Sequence, residues 1–106
     1  MTVRNNETDR LCEAFLVLED VEECFSFLED VCTIKELHAI AQRLEVARLL
    51  KEKKTFSDIV ELTGASTATI SRVNRCLMYG SGGYENVLGK LENNEEESNE
   101  NSFKSR

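Results

Sequence analysis

The spacing of the apolar residues limits most strongly what this chain can fold into. They recur every three or four positions over most of the length, and the sequence contains no proline. A repeat of about 3.6 residues places apolar side chains on one face of an α-helix, whereas a strand requires strict alternation. The 106 residues suffice for one domain with a modest core. We therefore predict an all-α fold.

The N-terminal third carries more apolar surface than one helix needs in order to pack on a core. One helical stripe runs from Leu11 to Leu18 and a second from Val21 to Val31, so this segment is either two helices or one bent helix. Leu16, Val17 and Phe27 lie beside the stripes and widen the apolar arc. The excess predicts a subunit interface.

Two capping patterns mark the starts of further helices. Thr33 followed by Glu36 forms a capping box, which opens a third helix running to about Lys53. Thr55 followed by Asp58 repeats the pattern and opens a short fourth helix. Only a brief turn therefore separates the third helix from the fourth.

A glycine turn joins the fourth helix to a fifth. Gly64 stands where a tight turn needs a residue that tolerates positive φ. Ile59 precedes it on the apolar face of the fourth helix, and Ile70 and Val73 follow it on the apolar face of the fifth. This spacing is typical of a helix-turn-helix, here over about residues 55–77.

The net charge of −7 hides three blocks of different sign. Residues 1–34 hold two basic and nine acidic side chains, and residues 91–106 hold two basic and five acidic ones. Residues 35–90 hold nine basic and six acidic side chains, so only this block has the sign that DNA phosphates attract. The fifth helix has a free face of small or cationic side chains, as entry into a major groove requires: Thr67, Ala68, Thr69, Ser71, Arg72 and Arg75.

Composition argues against several other classes of protein. His38 has no nucleophile beside it, and no two of the four cysteines form a C-x-x-C pair. We expect the cysteines to be small buried hydrophobes, and we predict no enzyme, no metal site and no cofactor. The longest apolar run, Ala14 to Leu18, is too short to cross a membrane, and MTVRNNETDR lacks an apolar signal core. These features indicate a cytoplasmic protein.

The end of the chain changes in character. Tyr84 to Leu91 are predicted to form a last short helix after the Gly-Ser-Gly-Gly segment. Glu92–Arg106 consists mostly of Glu, Asn and Ser, which predicts an acidic disordered tail. The folded domain is accordingly expected to span residues 1–91.

From about Thr33 to Leu88, and above all in QRLEVARLLKEKKTFSDIVELTGASTATISRVNRCL, the chain resembles the tryptophan repressor (TrpR) superfamily. The stretch Tyr79-Gly-Ser-Gly-Gly-Tyr84 is similar to the YerC/YecD branch of that family. The resemblance implies an intertwined, all-helical homodimer in which the N-terminal helices of both subunits form a common core. Such a dimer would use the surplus apolar surface of the N-terminal third.

The resemblance also assigns roles to single positions. The family's DNA-reading residues match Thr67, Ala68, Thr69 and Ser71, and its phosphate-facing ones match Lys54, Thr55 and Ser57. Its effector slot is lined by two arginines that match Arg43 and Arg72, for which the alternative is a solvated or phosphate-facing side chain. The glycine that follows the second arginine in the tryptophan repressor is Val73 here, which leaves no room for a flat indole. Any effector is therefore expected to be a small anion other than tryptophan.

Together these observations predict a sequence-specific regulator of transcription that binds double-stranded DNA. We expect a repressor that acts as a homodimer without tryptophan. The alternative is a homodimeric interaction module whose helix-turn-helix is only structural and whose acidic ends bind basic partners. The overall charge of −7 favours that alternative, whereas the basic middle block opposes it.

Overall fold

The computed structural model describes residues 3–104, with side chains up to residue 95. Within this part of the chain all regular structure is helical, which confirms the predicted all-α class. The six helices are α1 (Asn6–Leu16), α2 (Val21–Val31), α3 (Ile34–Lys51), α4 (Phe56–Thr63), α5 (Thr67–Tyr79) and α6 (Gly83–Lys104). Among the described residues, none of these helices has the length and apolarity needed to cross a bilayer.

The chain divides into two compact units, Met1–His38 and Ala39–Arg106. In the first unit, the N-terminal apolar segment, for which the sequence allows either two helices or one bent helix, forms two separate helices. Asn5 caps α1 through its side chain, which accepts a hydrogen bond from the Thr8 amide at 2.8 Å. Asp20 caps α2 in the same way through the Glu23 amide, also at 2.8 Å. A second cap in the middle of the apolar stripe is therefore what divides it.

The Thr33–Glu36 capping box is present as predicted. The Thr33 amide donates to a Glu36 carboxylate oxygen at 2.8 Å, and the Glu36 amide donates to the Thr33 hydroxyl at 3.1 Å. The hydrogen bond from the Thr33 backbone lowers the pKa of the Glu36 carboxyl below its ordinary value, and the Thr33 side chain lowers it further. The box thus fixes the start of α3.

The second unit contains the hydrophobic core. Its buried side chains come from α3, α4, α5, α6 and the turn before α5: Val46, Ala47, Leu49, Ile59, Ala65, Ile70, Val73 and Leu88. Leu44, Leu50, Leu77 and Tyr84 pack partly buried around them. Helix α5 packs against both α4 and α6. The core therefore lies directly beneath the predicted helix-turn-helix and holds α5 in place.

Helix α3 ends at Lys51, two residues before the predicted end at about Lys53. Lys53 instead adopts a left-handed backbone conformation, with φ of 67°. Its amide donates to the Leu50 carbonyl at 3.0 Å, and the Lys54 amide donates to the Leu49 carbonyl at 3.1 Å. These bonds satisfy carbonyls at the end of α3. A residue with a Cβ in this conformation costs about 1–2 kcal/mol.

Two sequence predictions need correction. Helix α6 does not end at Leu91 but continues to Lys104, because glutamate favours helices and neither proline nor glycine stops the chain after Gly89. Residues 92–104 thus continue this helix, residues 105 and 106 lie outside the described part, and the acidic tail with its boundary at residue 91 stays a prediction. The cysteines are not buried: Cys12 and Cys76 are exposed, and the other two are half-buried.

Candidate nucleic-acid interface

Helices α4 and α5 meet across the turn formed by residues 64–66. Gly64 adopts φ of 73°, as the sequence predicts, and its amide donates to the Val60 carbonyl at 2.8 Å. Ser66 is the N-cap of α5, and its hydroxyl accepts a hydrogen bond from the Thr69 amide at 3.1 Å. The turn therefore satisfies the end of one helix and the start of the next.

Side chains outside the turn fix its position, and sequence reasoning missed them. The Thr63 hydroxyl donates to the Ile59 carbonyl at 2.7 Å and accepts from the Ala65 amide at 3.1 Å. The Gln42 amide group on α3 donates to the Thr63 carbonyl at 3.2 Å. A polar residue at the last position of α4 was a sequence signal for the role of Thr63. No residue near Gln42 in the sequence pointed to its contact with the turn. These bonds tie the turn to α3.

Helix α5 has a buried face and an open one. Ile70 and Val73 lie fully in the core, so the side of α5 away from them faces solvent. Five of the predicted groove residues are exposed: Thr67, Ala68, Ser71, Arg72 and Arg75. Thr69 is half-buried, and its hydroxyl also accepts a hydrogen bond from the Ser66 hydroxyl at 3.1 Å. The structure thus places these predicted residues on one helix, with Thr69 partly engaged in capping.

The predicted phosphate-facing residues cluster at the start of α4. Lys54, Thr55 and Ser57 are all exposed. Thr55 is the N-cap, and its hydroxyl oxygen accepts from the Asp58 amide at 3.1 Å, which leaves its O–H available as a donor. This segment therefore presents a cation and two hydroxyl groups to solvent.

Salt bridges divide the basic residues of this unit into paired and unpaired groups. Arg48 pairs with Glu45 and with Glu52, the latter at 3.0 Å. The hydrogen bond from Arg48 lowers the pKa of the Glu45 carboxyl, and the same bond raises the pKa of the Arg48 guanidinium. Lys51 lies 3.6 Å and 3.8 Å from carboxylate oxygens on α6. Both cations on the last turns of α3 therefore already have carboxylate partners.

Four of the unpaired cations lie on the helix-turn-helix or beside it. Lys53, Lys54, Arg72 and Arg75 are exposed and have no hydrogen-bond or ion-pair partner among the described residues. Residues 53–79 accordingly carry four basic and two acidic side chains, although the whole chain is acidic. Such a local charge pattern is what binding to a phosphate backbone requires.

The two arginines predicted to line an effector slot differ in their exposure. Arg43 is half-buried, Arg72 is exposed, and neither has a partner among the described residues. Val73 is only 1% exposed and fills space in the core beneath α5.

Two helices joined by a short glycine turn, with the second exposing small and cationic side chains, define a helix-turn-helix protein. Residues 6–92 match the family described as Trp repressor protein, and the chain belongs to that family. It is 52% identical over 96 residues to YerC of Bacillus subtilis (strain 168), covering 91% of this chain and 92% of the relative.

Solved structures agree with this assignment. A TrpR-like protein from Eubacterium eligens ATCC 27750 has 50% sequence identity and a TM-score of 0.81, with 84% of this chain and 92% of that chain covered. A candidate Trp repressor from Staphylococcus aureus has 42% identity and a TM-score of 0.82, with 85% and 90% covered. The resemblance to the TrpR superfamily and its YerC-like branch is thus confirmed. At the level of the family, the protein is a DNA-binding regulator.

Proposed function

We propose that this protein is a sequence-specific repressor of transcription that works in the cytoplasm as a homodimer and without tryptophan. The observation that carries the proposal is the division of α5, whose Ile70 and Val73 are buried while its opposite side presents unpaired arginines and small side chains. A recognition helix needs this division, because it must be held by the core and still enter the major groove.

In this proposal, α5 contacts the bases and the start of α4 contacts the phosphates. Thr67, Ala68, Thr69 and Ser71 contact base edges, since their small side chains allow the helix to approach closely. Arg75 is suited to paired hydrogen bonds with a guanine. The residues at the start of α4 contact phosphates and set the register of the protein on the duplex: Lys54, Thr55 and Ser57.

Selection of bound fragments from random duplex DNA tests the function. The full-length protein should enrich an inverted repeat with half-sites one helical turn apart, because a two-fold dimer carries two recognition helices. Placed within a promoter that drives a reporter gene, that sequence should lower expression when the protein is present. No enrichment of any sequence would favour the alternative of a protein-interaction module.

Two apolar surfaces support a homodimer. In the first unit, Leu16, Val17 and Val21 are 84%, 72% and 78% exposed, which is unusual for neighbouring aliphatic residues in a monomer. In the second unit, Ile40 and Val87 line an open apolar groove formed by α3, the end of α5 and the start of α6. Charge also differs along the chain, since residues 1–34 are strongly acidic and residues 35–90 carry a net positive charge. A second copy supplies both the apolar and the electrostatic complement.

Light scattering on the purified chain should therefore give twice 12.0 kDa. The expected reason is that association removes the exposed apolar side chains of α1 and α2 from water. Val17→Asp should shift the protein toward the monomer, because it places a charge within that surface. Glu19→Asp, a change at an exposed position between the two helices, serves as the control. A monomer at micromolar concentration would contradict the homodimer and the two half-sites.

Tryptophan should neither bind nor change DNA affinity. Val73 already fills the core beneath α5, so an indole would have to displace a packed side chain. Calorimetry with tryptophan should show no heat of binding, and DNA titrations with and without it should coincide. If an effector exists, we propose a small anion held by Arg43 and Arg72, because paired guanidinium groups bind carboxylates through forked hydrogen bonds. Micromolar tryptophan binding that Arg72→Ala abolishes would overturn this part of the proposal.

A further inference from the structure

The backbone at Lys53 is unusual for a lysine. Among residues 3–104 it is the one residue other than glycine with a positive φ, at 67°. Gly64 ends the next helix with almost the same conformation, at 73°, and has no side chain to strain. A glycine would therefore suit the backbone at position 53 better than the residue that is present.

The turn holds Lys53 beside the start of α4. The amides of Lys53 and Lys54 both bond to carbonyls of the last turn of α3, so the direction of the chain is fixed at this point. Thr55, the N-cap of α4, follows two residues later, and consecutive Cα atoms are about 3.8 Å apart. The ammonium group of Lys53 is therefore tethered within reach of the surface formed by Lys54, Thr55 and Ser57.

The Lys53 ammonium group forms no salt bridge with the described part of the protein. Its neighbour Glu52 is engaged by Arg48 at 3.0 Å, and Lys51 is engaged by Glu85 and Glu92 on α6. Lys53 itself is exposed and has no ion-pair partner among the described residues. The surrounding salt bridges thus leave a free cation at a strained position next to the helix-turn-helix.

We propose that Lys53 is a further DNA-contacting residue, which binds a backbone phosphate next to the contacts made from the start of α4. This inference rests on the proposed function. It explains why a lysine stands where the backbone favours glycine, because glycine would relieve the strain and lose the cation. A phosphate contact of this kind contributes affinity for any DNA sequence and does not select among sequences.

Three variants of the full-length chain test the inference on a short random-sequence duplex. Lys53→Gly should lower affinity by roughly five- to tenfold at 100 mM salt and reduce the slope of log affinity against log salt by about one. Its thermal unfolding midpoint should be unchanged or higher, because glycine adopts this φ freely. Lys53→Arg should keep the slope of the unaltered protein. Lys90→Gln removes an exposed charge from α6 and should also keep the slope.

The outcomes separate this inference from the proposed function. If the unaltered protein binds no DNA, the proposed function fails and the inference fails with it. If it binds and Lys53→Gly keeps the same slope, only the role of Lys53 is overturned. An equal loss of slope in Lys90→Gln would also overturn that role, since it would show a general charge effect. A lower unfolding midpoint for Lys53→Gly would show that the lysine is retained for stability.

Discussion

Affinity for duplex DNA is expected to fall by about 10³-fold when salt rises from 50 to 200 mM, if about six phosphates are contacted. The reason is that each phosphate contact releases a condensed counterion, and added salt opposes that release. Under the proposed function, the contacts come from the exposed cations around α4 and α5, and Arg48 and Lys51, which are paired with carboxylates, are expected to contribute little. Fluorescence anisotropy with a labelled duplex measures the slope directly.

Replacing Thr69 and Arg75 together by alanine should separate base recognition from phosphate binding. The double variant should lose about tenfold or more of its preference for the selected sequence over random DNA, because one good base contact contributes about 1–3 kcal/mol. Thr69→Ala also removes a hydroxyl bonded to Ser66, so its circular dichroism and unfolding midpoint must be checked. The control is Lys90→Ala on α6. Salt-independent binding, or unchanged preference in the double variant, would contradict docking in the major groove.

Replacing Ile59 by alanine should destabilise the protein by about 2–5 kcal/mol. Ile59 is fully buried on α4 beneath the turn, where its side chain packs in the core with Ile70 and Val73. Truncation leaves a cavity between the two helices that must stay at a fixed angle for DNA binding. Urea titration followed by circular dichroism measures the change. Protein concentrations must be equal, because dimerisation contributes to stability.

Leu62 provides a matched control on the same helix. Its side chain is 65% exposed, so Leu62→Ala should change the free energy of unfolding by only about 0.5 kcal/mol. A loss from Ile59→Ala no larger than that from Leu62→Ala would mean that the core beneath the turn does not hold the motif. A large loss from Leu62→Ala alone would place α4 in an interface.

Features with local causes were predicted correctly from the sequence. The Thr33–Glu36 box, the cap at Thr55 and the left-handed glycine at position 64 all depend on residues within four positions of each other. The buried face of α5 was also predicted, because a period of 3.6 residues identifies one side of a helix before its partner is known. The helix-turn-helix could therefore be located from its own residues.

Features that depend on distant or missing partners were not predicted. Composition suggested that α6 ends at Leu91, whereas no residue near that point stops the helix. The expected burial of the cysteines failed because hydrophobic character does not say which side of a helix meets the core. The local conflict between residue type and backbone at Lys53 appears only when α3 is seen to end at Lys51.

The sequence by itself determined that this protein is all-helical, where α3 and α4 begin, and that α4 and α5 form a helix-turn-helix. These properties follow from the periodicity of the side chains and from hydrogen bonds between near neighbours, because both depend only on residues that are close together in the sequence. Only the tertiary structure decided which cations are free. Lys51 pairs with carboxylates of α6 more than thirty residues away, and Gln42 fixes the turn through Thr63, because such contacts exist only after the helices pack.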